Sequence, residues 1–197
     1  FAVSKPAEKI VQLAFNTYDQ QKIPVIKHVL SKRPFKSIVV FCSTKDSAKK
    51  LFQELKKMDY SVSDIHSDLE QKRREEILNQ FKARKLNILV ATDILSRGID
   101  IEDIDLVINY DVPNDGEDYI HRIGRTARAA SSGIAITLIN EKDQRTFAQI
   151  EQLLEKDVTK GNLPADIGEG PKYDKESLLK KSSRPFRKGG KGKKGRR

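Results

Sequence analysis

The chain has 197 residues, 37% hydrophobic and 34% charged, and no apolar run approaches the roughly 20 residues of a membrane-spanning helix. Its single cysteine, Cys42, excludes an internal disulfide and fits a reducing, cytoplasmic setting. The formal net charge of +10 sits at one end, because residues 172–197 carry 12 basic and 2 acidic side chains while residues 1–171 carry 26 of each.

No signal or transit peptide is visible. The chain begins at Phe1 and its only methionine is Met58, so a piece of a longer protein is expected. From residue 11 to 156, apolar β-branched runs alternate with amphipathic stretches. Val11–Thr17 predicts a strand, and Ile23, Ile26 and Leu30 predict a helix with Pro24 in its first turn. Ser37–Cys42 is a nearly continuous apolar run, as a strand covered on both faces should be. Thr44 can cap a helix bearing Ala48, Leu51, Phe52 and Leu55. Strand Val62–Ile65, a helix with Ile77, Leu78 and Phe81, and strands Leu86–Ala91, Leu106–Tyr110 and Ile134–Ile139 follow. A last helix carries Phe147, Ile150 and Leu154. Strands alternating with helices imply βαβ crossovers, hence an α/β fold with an open, mainly parallel sheet of about six strands. Residues 1–160 are expected to form this body and 161–171 a linker hinged at Glu169-Gly170-Pro171. Residues 172–197, rich in Gly, Lys and Arg, should form a disordered basic tail. Such a tail suits phosphate contact on nucleic acid by counterion release, with Phe186 able to stack on a base; the alternative is a solubilising tail.

Ligands of open α/β sheets bind beyond the carboxyl ends of the strands, so the chemically distinctive residues should gather there. After Ala91 comes Thr92-Asp93-Ile94-Leu95-Ser96-Arg97-Gly98-Ile99-Asp100. Thr92 and Arg97 can bind phosphate, Gly98 allows close backbone approach, and Asp100 can accept from a hydroxyl; alone, the segment could be a capped turn. After Tyr110 comes His121-Arg122-Ile123-Gly124-Arg125-Thr126-Ala127-Arg128. Arg125 and Arg128 are three apart, so on a helical turn both would face one anion, such as a polyphosphate. The competing reading pairs these arginines with Asp115, Glu117 or Asp118. Three scattered histidines offer no metal-ligand spacing, and His28 and His66 read as structural or surface residues.

Together these segments resemble the C-terminal RecA-like domain of a DEAD-box ATP-dependent RNA helicase of superfamily 2. Val39-Val40-Phe41-Cys42-Ser43-Thr44 looks like motif IV, and His66 to Arg74 contains the Gln-x-x-Arg element at Gln71 and Arg74. Thr92 to Asp100 matches motif V, and His121 to Arg128 matches motif VI. The resemblance implies that Arg125 and Arg128 act as arginine fingers on the γ-phosphate, with Asp100 and Gly98 also at the nucleotide. It implies RNA contact by Ser43, Thr44, Ser67, Gln71, Arg74, Thr92, Arg97 and Gly98, and interdomain contact by His121. Arg122 reads as an internal structural pair. The family usually has Gly where Ser67, Ala127 and Ala130 stand.

The chain contains no Gly-x-x-x-x-Gly-Lys-Ser/Thr loop and no Asp-Glu-Ala-Asp box. By that resemblance, ATP and Mg²⁺ would be bound mainly by a preceding N-terminal RecA-like domain, and this piece alone should not hydrolyse ATP. The expected partners are RNA and that domain, with no membrane, and the piece should be monomeric. The alternatives are a non-catalytic RNA-binding module, a protein-docking module, or a DNA helicase of similar architecture.

Overall fold

The computed structural model describes residues 10–92, 101, 103–126 and 133–180. Strands and helices alternate as β1 (Val11–Asn16), α1 (Asp19–Lys32), β2 (Ile38–Cys42), α2 (Lys45–Lys56), β3 (Val62–Ile65), α3 (Gln71–Lys82) and β4 (Ile88–Thr92). Then come β5 (Leu106–Asn109), α4 (Gly116–Ile123) extended by a 3₁₀ turn (Gly124–Thr126), β6 (Ile134–Ile139), α5 (Gln144–Leu153), β7 (Thr159–Lys160) and α6 (Lys175–Lys180). The strands form one sheet in the order β3-β4-β2-β5-β6-β1-β7. Every pairing within it is parallel, so all the carboxyl ends share one edge.

The apolar runs explain which strands are central. β2, β4 and β5 are buried at every position, as strands covered on both faces must be. Successive side chains alternate between faces. Ile38, Val40 and Cys42 join Val25 and Ile26 of α1 and Leu51 and Leu55 of α2 on one face. Val39 and Phe41 meet Ile77 and Phe81 of α3 on the other, where Tyr119, Phe147 and Ile150 of α4 and α5 cover β1 and β6. Each large side chain buried this way stabilises the fold by roughly 1.5–3 kcal/mol.

The fold class stands as expected, and three details differ. The sheet has seven strands rather than about six, because β7 is a two-residue edge strand paired with Leu13 and Ala14, too short to show periodicity. Pro24 lies in the second turn of α1, not the first. There it leaves the Gln20 carbonyl without its helical donor, and burial of Val25, Ile26 and Leu30 holds the helix regardless. Finally, the folded part runs past residues 160 and 171.

Residues 161–171, expected as a linker, are tied to the body as a strap. Gln21 Nε2 donates to the carbonyls of Ile167 and Glu169, each at 3.1 Å. A Cβ on Gly170 would lie 1.9 Å from the Asn16 carbonyl oxygen, so only glycine permits this approach. Beyond it, Gln144 Nε2 donates to the Lys172 carbonyl at 2.8 Å, and Tyr173 stacks edge-on against Phe147 with ring centroids 6.5 Å apart. The Tyr173 hydroxyl donates to Glu151 Oε2 at 2.7 Å. Glu151, 1% exposed, also takes the Val158 N–H and the Lys160 ammonium. Thus residues 172–180, expected as part of the tail, are held to the body and include α6; residues 181–197 lie outside the described residues.

Candidate functional site

Six candidates lie at or beside the carboxyl edge. Ser43 and Thr44 form the exposed turn between β2 and α2. Thr44 caps α2, its Oγ1 accepting the Ser47 N–H at 3.1 Å, and the Ser43 N–H donates to Asp111 Oδ2 at 2.8 Å. Ser67 lies two strands away, between β3 and α3, and a 2.5 Å pair between Lys45 and Asp68 joins the two turns. Gln71 opens α3, exposed, with its amide donating to Glu75 at 2.8 Å. Arg74 faces back toward the turn, where its Nε donates to the Leu69 carbonyl at 3.0 Å. Thr92 ends β4 beside Cys42 and is buried. Arg97, Gly98, Asp100 and Arg128 lie outside the described residues, as do Ala127 and Ala130.

Arg125 is placed elsewhere, which corrects the expectation that the distinctive residues all gather at the carboxyl edge. α4 begins beyond the carboxyl end of β5 and runs back along the sheet, so its 3₁₀ turn ends near the amino ends of β5 and β6. There the Ile104 N–H donates to the Arg125 carbonyl at 3.2 Å. Thr126 is buried, its hydroxyl bonded to the Ile123 carbonyl at 2.9 Å. A Cβ on Gly133 would fall 2.3 Å from Thr126, so this glycine lets the turn seat against the start of β6. Arg125 itself is half-exposed on this clamped mount, and His121 is exposed one turn earlier.

Arg122 is internal, as expected. It is 2% exposed, and its Nη1 donates to Asn109 Oδ1 at 3.1 Å and to the Asp111 carbonyl at 3.3 Å. Its guanidinium lies 5.1 Å from the Phe41 ring centroid, and burial lowers its pKa to about 10. Asp111 is the residue that sequence reasoning missed. Its Oδ1 pairs at 2.8 Å with the Lys22 ammonium, which is 1% exposed and sits 4.9 Å from the Tyr110 ring centroid. Its Oδ2 holds the Ser43 turn. The Asp111 charge also adds to burial in pushing the Cys42 thiol up from its ordinary pKa. The available signal was an isolated acid immediately beyond an apolar strand, at the edge where ligands bind.

Two surfaces result: a hydroxyl- and amide-bearing carboxyl edge braced by Asp111, and a rigidly mounted arginine at the end of α4. No group of three or more His, Cys, Asp or Glu side chains placed to hold a metal ion occurs among the described residues. No helix among them is long and apolar enough to cross a membrane.

Comparison with known proteins finds relatives of the chain and of its fold. Residues 21–130 match the family described as the helicase conserved C-terminal domain. An ATP-dependent rRNA helicase, RRP3, from Candida albicans is 40% identical over 158 residues, which cover 80% of this chain and 30% of that protein. A DEAD box protein from Methanococcus jannaschii superposes with a TM-score of 0.73 at 36% identity, covering 78% of this chain and 42% of the other. The C-terminal domain of the DEAD-box protein Dbp5 superposes with a TM-score of 0.72 at 28% identity, over 89% of this chain and 97% of that domain. The chain therefore spans about a third of the curated relative it matches, and nearly the whole of a separately solved C-terminal domain.

Proposed function

Because the chain belongs to the DEAD-box helicases of superfamily 2, as their C-terminal RecA-like domain, we propose that it is the C-terminal half of an ATP-dependent RNA helicase that separates or remodels short RNA duplexes. A preceding RecA-like domain completes the nucleotide site and binds ATP with Mg²⁺ through groups this chain lacks. The chain alone does not hydrolyse ATP, and it is monomeric.

The observation that carries the reading is the mount of Arg125. A guanidinium stabilises charge developing on a transferring phosphoryl group only if it is already in place, since reorganising it during the reaction costs the energy it would supply. The Ile104 bond and the Thr126–Gly133 contact fix the backbone on both sides of it. Arg125 and Arg128 act as arginine fingers, with Asp100 and Gly98 toward the nucleotide and His121 against the partner lobe. At the carboxyl edge Ser43, Thr44, Ser67, Gln71 and Thr92, with Arg97 and Gly98, hold the RNA backbone, while Arg74 braces the turn before α3. RNA is selected over DNA through its 2′-hydroxyls. Nucleotide and RNA each make contacts that exist only when the lobes close, so binding one favours the other. Gripping the strand in a bent form opens a short duplex, and hydrolysis resets the lobes.

The test is RNA-stimulated ATPase turnover of the complete protein. Arg125→Ala and Arg128→Ala should each lower it by about 10³-fold or more. A loss below about threefold in both discards the finger assignment, and stimulation by DNA equal to that by RNA discards the RNA assignment.

A further inference from the structure

The amino edge of the sheet, where β2, β3 and β4 begin, has a chemistry of its own. Two concavities meet there and share Asn87. One is walled by Phe35 and Tyr60 with Lys32 and Arg33 at its rim; the other is lined by Lys36, Arg84 and Asp105. The Asn87 side-chain amide donates to the Lys36 carbonyl at 3.4 Å and so links the two loops. Lys32, Arg33, Lys36 and Arg84 are exposed, and among the described residues none is in an ion pair, whereas Lys22, Lys27, Lys45 and Lys57 all are. The neighbouring Asp105 carboxylate accepts the backbone N–H groups of Lys36 and Ser37 at 2.7 and 3.1 Å.

Helix carboxyl ends attract cations in any parallel α/β sheet, each worth about 0.3–1 kcal/mol. Lys32 in the last turn of α1 meets that need. Lys36 does not lie on a helix, and no dipole calls for it there. The aromatic groups narrow the class of ligand. The Arg33 guanidinium lies 4.7 Å from the Phe35 ring centroid, within cation–π range, and Tyr60 is half-buried in the same concavity. An acidic protein segment would need the charge alone. Unpaired bases need charge for their phosphates and planar faces for stacking, and both are here.

We propose that this amino edge is a second contact surface for single-stranded RNA, taking nucleotides that flank the segment held at the carboxyl edge; the inference rests on the RNA-helicase reading above. It is tested on the complete protein with two unstructured oligouridylates, one of about six nucleotides, enough for one site, and one of about twenty, long enough to reach both edges. Wild type should bind the longer strand more tightly. Reversing three charges together (Lys32→Glu, Arg33→Glu, Lys36→Glu) should weaken the longer strand about tenfold and reduce its salt slope by about 0.7 for each phosphate no longer neutralised. The affinity for the short strand should not change, which also reports that the fold is intact. Removing the planar groups instead (Phe35→Leu with Tyr60→Leu) should weaken the longer strand severalfold at an unchanged salt slope. An unchanged long-strand affinity in the charge variant overturns the inference. So does equal weakening for both lengths, or weakened binding of a polyglutamate peptide with RNA binding intact. A wild type that binds the short strand and gains nothing from length also overturns it, leaving the helicase reading standing; one that binds neither overturns both.

Discussion

Lys22 and Asp111 illustrate how one buried charge organises an edge. The ammonium of Lys22 is almost wholly removed from water, and that is tolerable only because Asp111 stands 2.8 Å away, Asp19 lies 3.5 Å away, and the Tyr110 ring offers its face. Asp111 in turn commits its second oxygen to the Ser43 N–H. Asp111→Ala therefore leaves a charge stranded and a turn untethered, and should cost about 3 kcal/mol in urea unfolding. Lys22→Met should cost distinctly less, because Asp111 is partly exposed and keeps its Ser43 donor while the methionine fills the lysine's apolar volume. Equal costs would show that the stranded charge is not the cause. Asp19 has its pKa lowered first by the Asn140 amide and then by Lys22. Its contribution is accordingly present above the ordinary carboxyl value and fades as pH falls through its folded value.

At the level of elements, the legible features were those encoded locally. β3 and β6 fall on the expected residues, and Thr44 caps α2 as its position before an amphipathic run suggested. Ser43, Thr44, Ser67 and Gln71 come to one edge because parallel topology puts every strand's carboxyl end there. What could not be read depends on partners far along the chain. Lys22 and Asp111 are 89 positions apart, and the strap is held through its own carbonyls by Gln21, with Gln144 holding the Lys172 carbonyl just beyond it, so its Gly- and Pro-rich composition reads as a linker. The return of α4 across the sheet, which carries Arg125 to the opposite edge, likewise follows from packing and not from periodicity. Pro24 was misplaced by one turn because helix starts are fixed by caps: here Gln21 Oε1 accepts the Tyr18 N–H at 2.9 Å, so α1 begins earlier than its apolar stripe. Pro24→Ala restores a donor to the Gln20 carbonyl and should raise stability by about 1 kcal/mol or more, seen as a higher thermal midpoint. An unchanged midpoint would mean that the proline's effect on the unfolded chain offsets the missing bond.

For the whole molecule, Glu151 is the point where the end of the fold is fastened. It gathers Val158, Lys160 and Tyr173 beneath the strap, and Lys175 pairs with Asp157 just outside. A chain ended after residue 160 should lose this cover over Phe147 and melt several degrees lower, whereas one ended after residue 180 should melt with the full chain. If both truncations melt alike, the strap adds nothing to stability. The shorter cut also tests the basic segment, since removing residues 181–197 should lower the salt slope of RNA binding by about 0.7 for each phosphate left without its cation. The fold further contains its own clock. Cys42 ends the central strand β2, is fully shielded, and has its thiolate suppressed by burial and by the Asp111 charge, so an alkylating reagent at mildly basic pH can reach it only when the middle of the sheet opens. With one thiol in the chain, the labelling rate is a direct count of those openings, requiring no probe to be introduced, and it should rise in parallel with the unfolded fraction as denaturant is added.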